Sequence, residues 1–366
     1  MMRHSRAVIA LLLALLLIAS ACGDDDSASD SSTTTTEAAD VGGEVDLDGN
    51  GDGSIIIGIA AQGPRDDGGY YEAVVAEAER LSEENGFEAP IVVDEVETTT
   101  AEQELRNLAD QGVDIIFVGA SGIAEPMPAL AEEFADIFWY CNCGSGFTES
   151  EFYAQSGDDS SEISFTAGYA SGLLLQADGG DSAHFLGCCD LPFEKESFLA
   201  FELGLQEVDE SFEATYLPTG DFQYDFDNVL NATTAFDNAV AAGADAIYPF
   251  LSGAHEPVVA LANDEDLIVM SAGASNACAR EDLAYDIAVA FDGGDYIRAL
   301  FPLIASGEFT EGQTKTFHVG VDPEPGARIC DPTSEQTSEM DTAFADVAAG
   351  TYDDVFAEIK SEAFSG

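Results

Sequence analysis

An eleven-residue pattern occurs twice in this chain with no gap, and nothing else in it constrains the fold as much. The first copy is Gly112-Val-Asp-Ile-Ile-Phe-Val-Gly-Ala-Ser-Gly122 and the second is Gly243-Ala-Asp-Ala-Ile-Tyr-Pro-Phe-Leu-Ser-Gly253. Each reads as a helix-ending glycine, a short turn, a buried strand and a Ser-Gly loop at the strand's carboxyl end. In open α/β sheets that end is where ligands sit. Two copies imply two similar lobes whose loops face each other.

The surroundings repeat as well. The first half reads as a strand at 55–61, a loop at 62–69, a helix at 70–85 stopped by Gly86, and a strand at 91–96. A helix capped within Thr98, Thr99 and Thr100 then runs to Gln111, followed by the first repeated strand. A helix at 124–135 and a strand at 137–141 complete that half, and 142–160 reads as polar loop. A Gly- and Ala-rich helix at 165–176 bridges to the second half. There the succession restarts: strand 183–187, helix 193–206, strand 212–217, helix 224–242 and the repeated strand 245–250. Phe87-Glu-Ala and Phe212-Glu-Ala mark matching junctions. The interval from Phe87 to Gly112 is 25 positions and that from Phe212 to Gly243 is 31, the excess falling around 220–226. Further on lie a strand at 267–270, a polar loop at 271–279, a strand-like run at 286–291 expected to cross back to the first lobe, a helix at 296–305, a weakly alternating run at 314–319, and one or two short acidic helices within 333–364.

Alternating strands and helices argue for parallel sheets. The expected fold class is α/β, with two doubly wound Rossmann-like lobes joined by a hinge. Lobe 1 is expected to span 54–165 plus 285–366, and lobe 2 to span 166–284.

Ahead of this region, residues 1–22 read as a targeting segment. Arg3, His4 and Arg6 precede an apolar run too short for a stable membrane span, which ends in Ala19-Ser20-Ala21-Cys22. The segment resembles a bacterial lipoprotein signal, which implies cleavage before Cys22 and a lipid anchor on that residue. Residues 23–53 are acidic and polar and read as a flexible tether. Within them, Asp48-Gly-Asn50-Gly-Asp52-Gly53 matches the first half of a calcium loop, but its twelfth position is Ile59 rather than a glutamate, so it is read as tether.

Acidic residues number 71 against 11 basic, a net charge of −60. That field repels nucleic acid and anionic membranes and keeps an exported protein soluble. Six cysteines remain beside Cys22: Cys141, Cys143, Cys188, Cys189, Cys278 and Cys330. In an exported chain they suit disulfides, with 15 pairings open, or buried thiols; their spacing is a poor match to zinc knuckles. No nucleophile elbow, phosphate loop or metalloprotease motif is present, and His184, His255 and His318 are scattered. No catalytic residue, metal or cofactor is expected.

The Cys22 signal, the tether, the two lobes and the loop Gly63-Pro-Arg-Asp-Asp-Gly-Gly-Tyr70 together resemble the basic membrane protein family. These are lipoprotein substrate-binding proteins of ABC importers with the type I periplasmic-binding fold, and the family includes purine nucleoside receptors. Segments 112–140, 165–206 and 285–309 are also similar. The resemblance implies a monomer that closes its lobes on a small molecule and delivers it to an ABC permease and ATPase. Asp67 takes the family's acidic loop position, for sugar hydroxyls, and Tyr70 the aromatic position, for stacking. Two departures stand out. Val74 lies one helical turn after the aromatic, where a polar residue is usual. The loop Ser271-Ala-Gly-Ala-Ser-Asn276 lacks the usual acid, leaving Ser275 and Asn276 as polar substitutes.

The residues themselves suggest further cleft candidates. Ser121 and Ser252 end the repeats, each offering a hydroxyl and an N–H. Phe193 and Lys195 open the second lobe's first helix, in the position matching Tyr70. Asp221 and Phe222, with Tyr224, lie in the six-residue excess and offer a second stacking wall. The expected function is a lipid-anchored solute receptor of an ABC importer, outside the cytoplasm on a bacterial cell membrane, taking a nucleoside first and a sugar next. A receptor that signals to a membrane partner without transport is the alternative.

Overall fold

Each lobe begins with a parallel strand whose entry is fixed by the aspartate of the repeat. The computed structural model describes residues 46–144, 147–189, 191–220 and 225–365. The first sheet runs in the order β11-β5-β4-β3-β1-β2, where β1 is Ile57–Ala60, β2 Ile91–Val93, β3 Ile115–Val118, β4 Phe138–Asn142, β5 Ala154–Asp158 and β11 Thr314–Phe317. The second runs β7-β6-β8-β9, with β6 Ser182–Gly187, β7 Glu213–Pro218, β8 Ala246–Pro249 and β9 Ile268–Val269. All these pairings are parallel. A parallel bridge from Met270 to Ile287 extends the second sheet to the antiparallel pair β10 (Ile287–Ala290) and β12 (Gly326–Ile329).

The repeat does the same work in both lobes. Gly112 and Gly243 take φ of 78° and 91°, left-handed values that glycine adopts without strain. The Asp114 carboxylate accepts from the Ile56 N–H at 2.9 Å, just before β1. Asp245 accepts from Asp181 and Ser182 at 2.9 and 3.2 Å, at the start of β6. Asp286 repeats the device by accepting from Val269 at 2.9 Å. Each carboxylate thus satisfies backbone donors where one strand begins beside another.

Helices cover both faces of each sheet. In the first lobe, α1 (Tyr70–Asn85) and α8 (Gly293–Ala305) bury Val74, Ala78, Leu81, Tyr296, Leu300 and Ile304 on one face. On the other, α2 (Ala101–Ala109) and α3 (Met127–Glu133) bury Leu105, Leu108, Met127 and Leu130 around Trp139. In the second lobe, α6 (Val229–Ala242) and α7 (His255–Asp264) lie over one face. The other carries α4 (Ser160–Asp178), α5 (Pro192–Val208), α9 (Ser334–Ala348) and α10 (Asp353–Ala363). Helices α4 and α5 touch through their backbones. A Cβ on Gly168 would lie 1.9 Å from the Phe201 carbonyl oxygen, and one on Gly204 would lie 1.9 Å from that of Phe165.

The topology revises several expectations. Residues 142–160 contain a strand, β5, rather than loop alone. The run at 286–291 stays in the second lobe, and β12, α9 and α10 pack there too, sharing one core with α4 and α5. Of the expected 285–366 portion of lobe 1, the part observed there is α8 and β11. The chain passes between lobes near 158–160, 291–293 and 317–319, where Asp159 N–H donates to the Phe317 carbonyl at 3.3 Å. Residues 46–53, expected as tether, dock on the first lobe, with Asn50 Nδ2 donating to the Gly112 carbonyl at 3.1 Å. The targeting segment, Cys22 and tether residues 23–45 lie outside the described residues. The cysteines pair as Cys141–Cys143, Cys188–Cys189 and Cys278–Cys330.

Candidate functional site

The carboxyl ends of β1, β3, β4 and β5 face those of β6, β8 and β9 across a cavity of about 490 Å³. From the first lobe it receives Gln62, Asp67, Tyr70, Tyr71, Ser121, Asn142, Phe147 and Asp158; from the second, Phe193, Phe226, Phe250, Ser252 and Phe291. The second-lobe wall is aromatic and continuous. Phe193 and Phe226 have ring centroids 6.3 Å apart, Phe193 and Phe250 6.4 Å, and Phe250 and Phe291 5.7 Å. Phe364, after α10, also lines the cavity.

Five of the sequence-derived candidates meet here: Asp67, Tyr70, Ser121, Phe193 and Ser252. Asp67 is 5% exposed. It accepts from the N–H groups of Gly69 and Glu72, each at 3.0 Å, and from the Ser252 hydroxyl at 3.0 Å. Burial raises its pKa, and these hydrogen bonds oppose the rise. It therefore satisfies the open donors at the start of α1 and ties that loop to the second lobe. The Tyr70 hydroxyl is hydrogen-bonded to Asn142 Oδ1, and Asn142 Nδ2 donates to the Ser156 hydroxyl at 2.9 Å.

The other candidates are elsewhere. Lys195 does not line the cavity; its ammonium lies 3.3 Å from Glu362 Oε1. It is two residues from Phe193, and 100° per residue turns it to the far side of α5. Ser275 donates to Asp292 Oδ2 at 3.2 Å, while Asn276 is exposed at the start of a short 3-10 turn; neither lines the cavity. Asp221 and Phe222, with Tyr224, lie outside the described residues.

Sequence reasoning missed Asn142 and Asp158, at the ends of β4 and β5. Asp158 Oδ2 accepts from the Tyr296 hydroxyl at 2.9 Å, and its other oxygen accepts no hydrogen bond among the described residues. Burial pushes this carboxyl up to about 7, and the neighbouring Asp159, Glu196 and Glu162 add to the rise. Asp292, which caps α8 and holds Ser275, is raised to about 6 by burial and by Asp295. The repeat held an unused signal for Phe250. Its eighth and ninth positions, Gly119 and Ala120 in one copy and Phe250 and Leu251 in the other, all line the cavity.

Two groups among the described residues place three metal-ligating side chains together: Cys188, Cys189 and Glu194, and Asp159, Glu162 and His318. The protein already uses both. The two cysteines are bridged to each other, and Glu194 accepts from the N–H groups of Cys188 and Leu191 at 2.6 and 3.0 Å. Asp159 pairs with Lys360 at 2.5 Å, and Glu162 with His318 at 3.0 Å. His255, the buried first residue of α7, donates its Nδ1–H to the Pro249 carbonyl at 2.9 Å and is kept neutral by burial, which lowers its pKa to about 4.

No curated protein sequence matches this chain. Among solved structures, an ABC transporter solute-binding protein from Conexibacter woesei DSM 14684 superimposes with a TM-score of 0.61 at 18% identity, covering 81% of this chain and 97% of that one. One from Aeropyrum pernix K1 gives 0.63 at 14% identity, covering 85% and 92%. The 5-methylthioribose transporter solute-binding protein from Thermotoga lettingae TMO, in complex with 5-methylthioribose, gives 0.52 at 12% identity, covering 84% and 97%. At such identities these likenesses establish the shared two-lobed fold. A family profile described as "ABC transporter substrate-binding protein PnrA-like" matches residues 55–273. The chain therefore belongs to the PnrA-like family of ABC transporter substrate-binding proteins, whose members bind solutes and are not enzymes.

Proposed function

We propose that this chain is a lipid-anchored receptor that captures a nucleoside between its lobes and passes it to a membrane permease. The observation that carries the reading is the cavity's division of labour. One wall is a run of aromatic rings, Phe193, Phe226, Phe250 and Phe291, and the hinge side presents the Asp158 carboxylate. Flat rings suit a flat base. A carboxylate accepts two charge-assisted hydrogen bonds from neighbouring ribose hydroxyls. Asn142, Ser121 and Gln62 supply further polar partners, and Asp67 holds the start of α1, which carries Tyr70 and Tyr71. Hinge closure brings the two walls together. As a monomer, the receptor presents both lobes to the permease.

The Ala-Ser-Ala-Cys22 segment supports anchoring at Cys22 on a bacterial cell membrane, facing outside the cytoplasm. Acyl chains contribute roughly 0.8 kcal/mol per buried CH₂, so several chains hold a protein on a bilayer. Cys22→Ser is expected to move the protein from the membrane to the soluble fraction; unchanged membrane retention contradicts the anchor.

A pentose sugar is the second reading, favoured by the likeness to the 5-methylthioribose-bound protein. A thermal-shift series over nucleosides and pentoses separates the two. Saturation at 100 times Kd adds about 2.7 kcal/mol. Shifts with nucleosides support the first reading, and shifts with pentoses alone support the second.

A further inference from the structure

Phe364 follows α10, far outside the segment 55–273 matched by the family profile. Helix α10 is fixed to the second lobe. Phe356, Ile359 and Ala363 are buried, the first two in the core shared with α4 and α5. Lys360 Nζ donates to Asp159 Oδ2 at 2.5 Å, and Lys195 Nζ reaches Glu362 Oε1 at 3.3 Å. These ties carry the last turn of α10 along α5 and set Phe364 in the cavity wall. The residue is 51% exposed. A large apolar side chain held half bare at a cavity mouth is stabilised by whatever covers it, and a solute entering the cavity does so.

We propose that Phe364 is a solute-contacting residue that covers the bound molecule at the cavity mouth and slows its departure. This rests on the interlobe cavity being the solute site, and the test separates the two claims. Dissociation rates of adenosine and of ribose are measured by stopped flow for the wild type, Phe364→Ala, Phe364→Trp and Phe193→Ala. Phe364→Ala is expected to release the probe roughly tenfold faster, with association rate and melting temperature unchanged because the side chain is already half exposed. Phe364→Trp is expected to restore slow release. If Phe193→Ala weakens capture while Phe364→Ala releases the probe like the wild type, the role of Phe364 is overturned and the cavity stands. If neither variant alters capture, the cavity assignment falls and the role of Phe364 falls with it.

Discussion

The Ser252 hydroxyl donates to Asp67 Oδ2 at 3.0 Å across the interlobe cleft. The two residues come from opposite lobes, so one carboxylate both caps α1 and ties the lobes. Asp67→Ala leaves the N–H groups of Gly69, Tyr71 and Glu72 without their acceptor. It is expected to cost about 2 kcal/mol in urea denaturation. Ser252→Ala removes the interlobe bond alone and is expected to cost about 0.5–1 kcal/mol. Equal losses in the two variants contradict the assignment of Asp67 mainly to the helix start.

Asp158 gives the ligand-free protein a pH signature. Its folded pKa is about 7, while an unfolded-chain aspartate titrates near ~3.9. The folded state thus holds this proton more tightly. The stability it contributes is whole below pH ~4 and is lost as pH rises through 7. Asp158→Asn is expected to match the wild type in acid and to exceed it above neutrality by up to about 4 kcal/mol. Asp292, raised to about 6, slopes the same way in both proteins and cancels in the difference. Solute capture runs opposite, because hydroxyl donors favour the ionised carboxylate, so affinity is expected to rise from pH 6 to 8. Urea melts and titrations across that range check both; a pH-independent difference between the two proteins contradicts the assignment.

The α4–α5 contact predicts a sharp steric penalty. Gly168→Ala sets a methyl against the Phe201 carbonyl, and neither helix backbone yields cheaply. A loss of about 1–3 kcal/mol is expected, whereas Ala170→Gly on the same helix is expected to cost about 1–2 kcal/mol through helix propensity and the loss of a buried methyl. A neutral Gly168→Ala in thermal melts contradicts the close approach.

The architecture was legible because the repeat encodes backbone requirements. A left-handed glycine and a strand-entry aspartate leave the same mark wherever a parallel strand follows a helix. Strand β5 was missed because Gln155 and Ser156, both buried, are polar, with Gln155 Nε2 donating to the Thr314 hydroxyl and the Ser156 hydroxyl bonded to Tyr140 and Asn142; no apolar alternation marks it. That omission hid Asp158. The return of β12, α9 and α10 to the second lobe is a tertiary choice, since an amphipathic acidic helix suits either core. Lys195 was misplaced by reading chain position without helical phase.

The net charge of −60 makes stability depend on screening. Repulsion reaches about 30 Å at 0.01 M salt and about 3 Å at 1 M. The melting temperature is expected to climb steeply between those limits. A melt indifferent to added sodium chloride contradicts a self-repelling surface.

The aromatic wall and Asp158 are proposed to read two halves of one solute. Calorimetric titration of the wild type with adenosine, with adenine and with ribose tests this most directly. The nucleoside is expected to bind tightly and either fragment much more weakly, with Asp158→Asn weakening adenosine far more than adenine. Ribose binding as tightly as adenosine, or adenosine binding unaffected by Asp158→Asn, would contradict it.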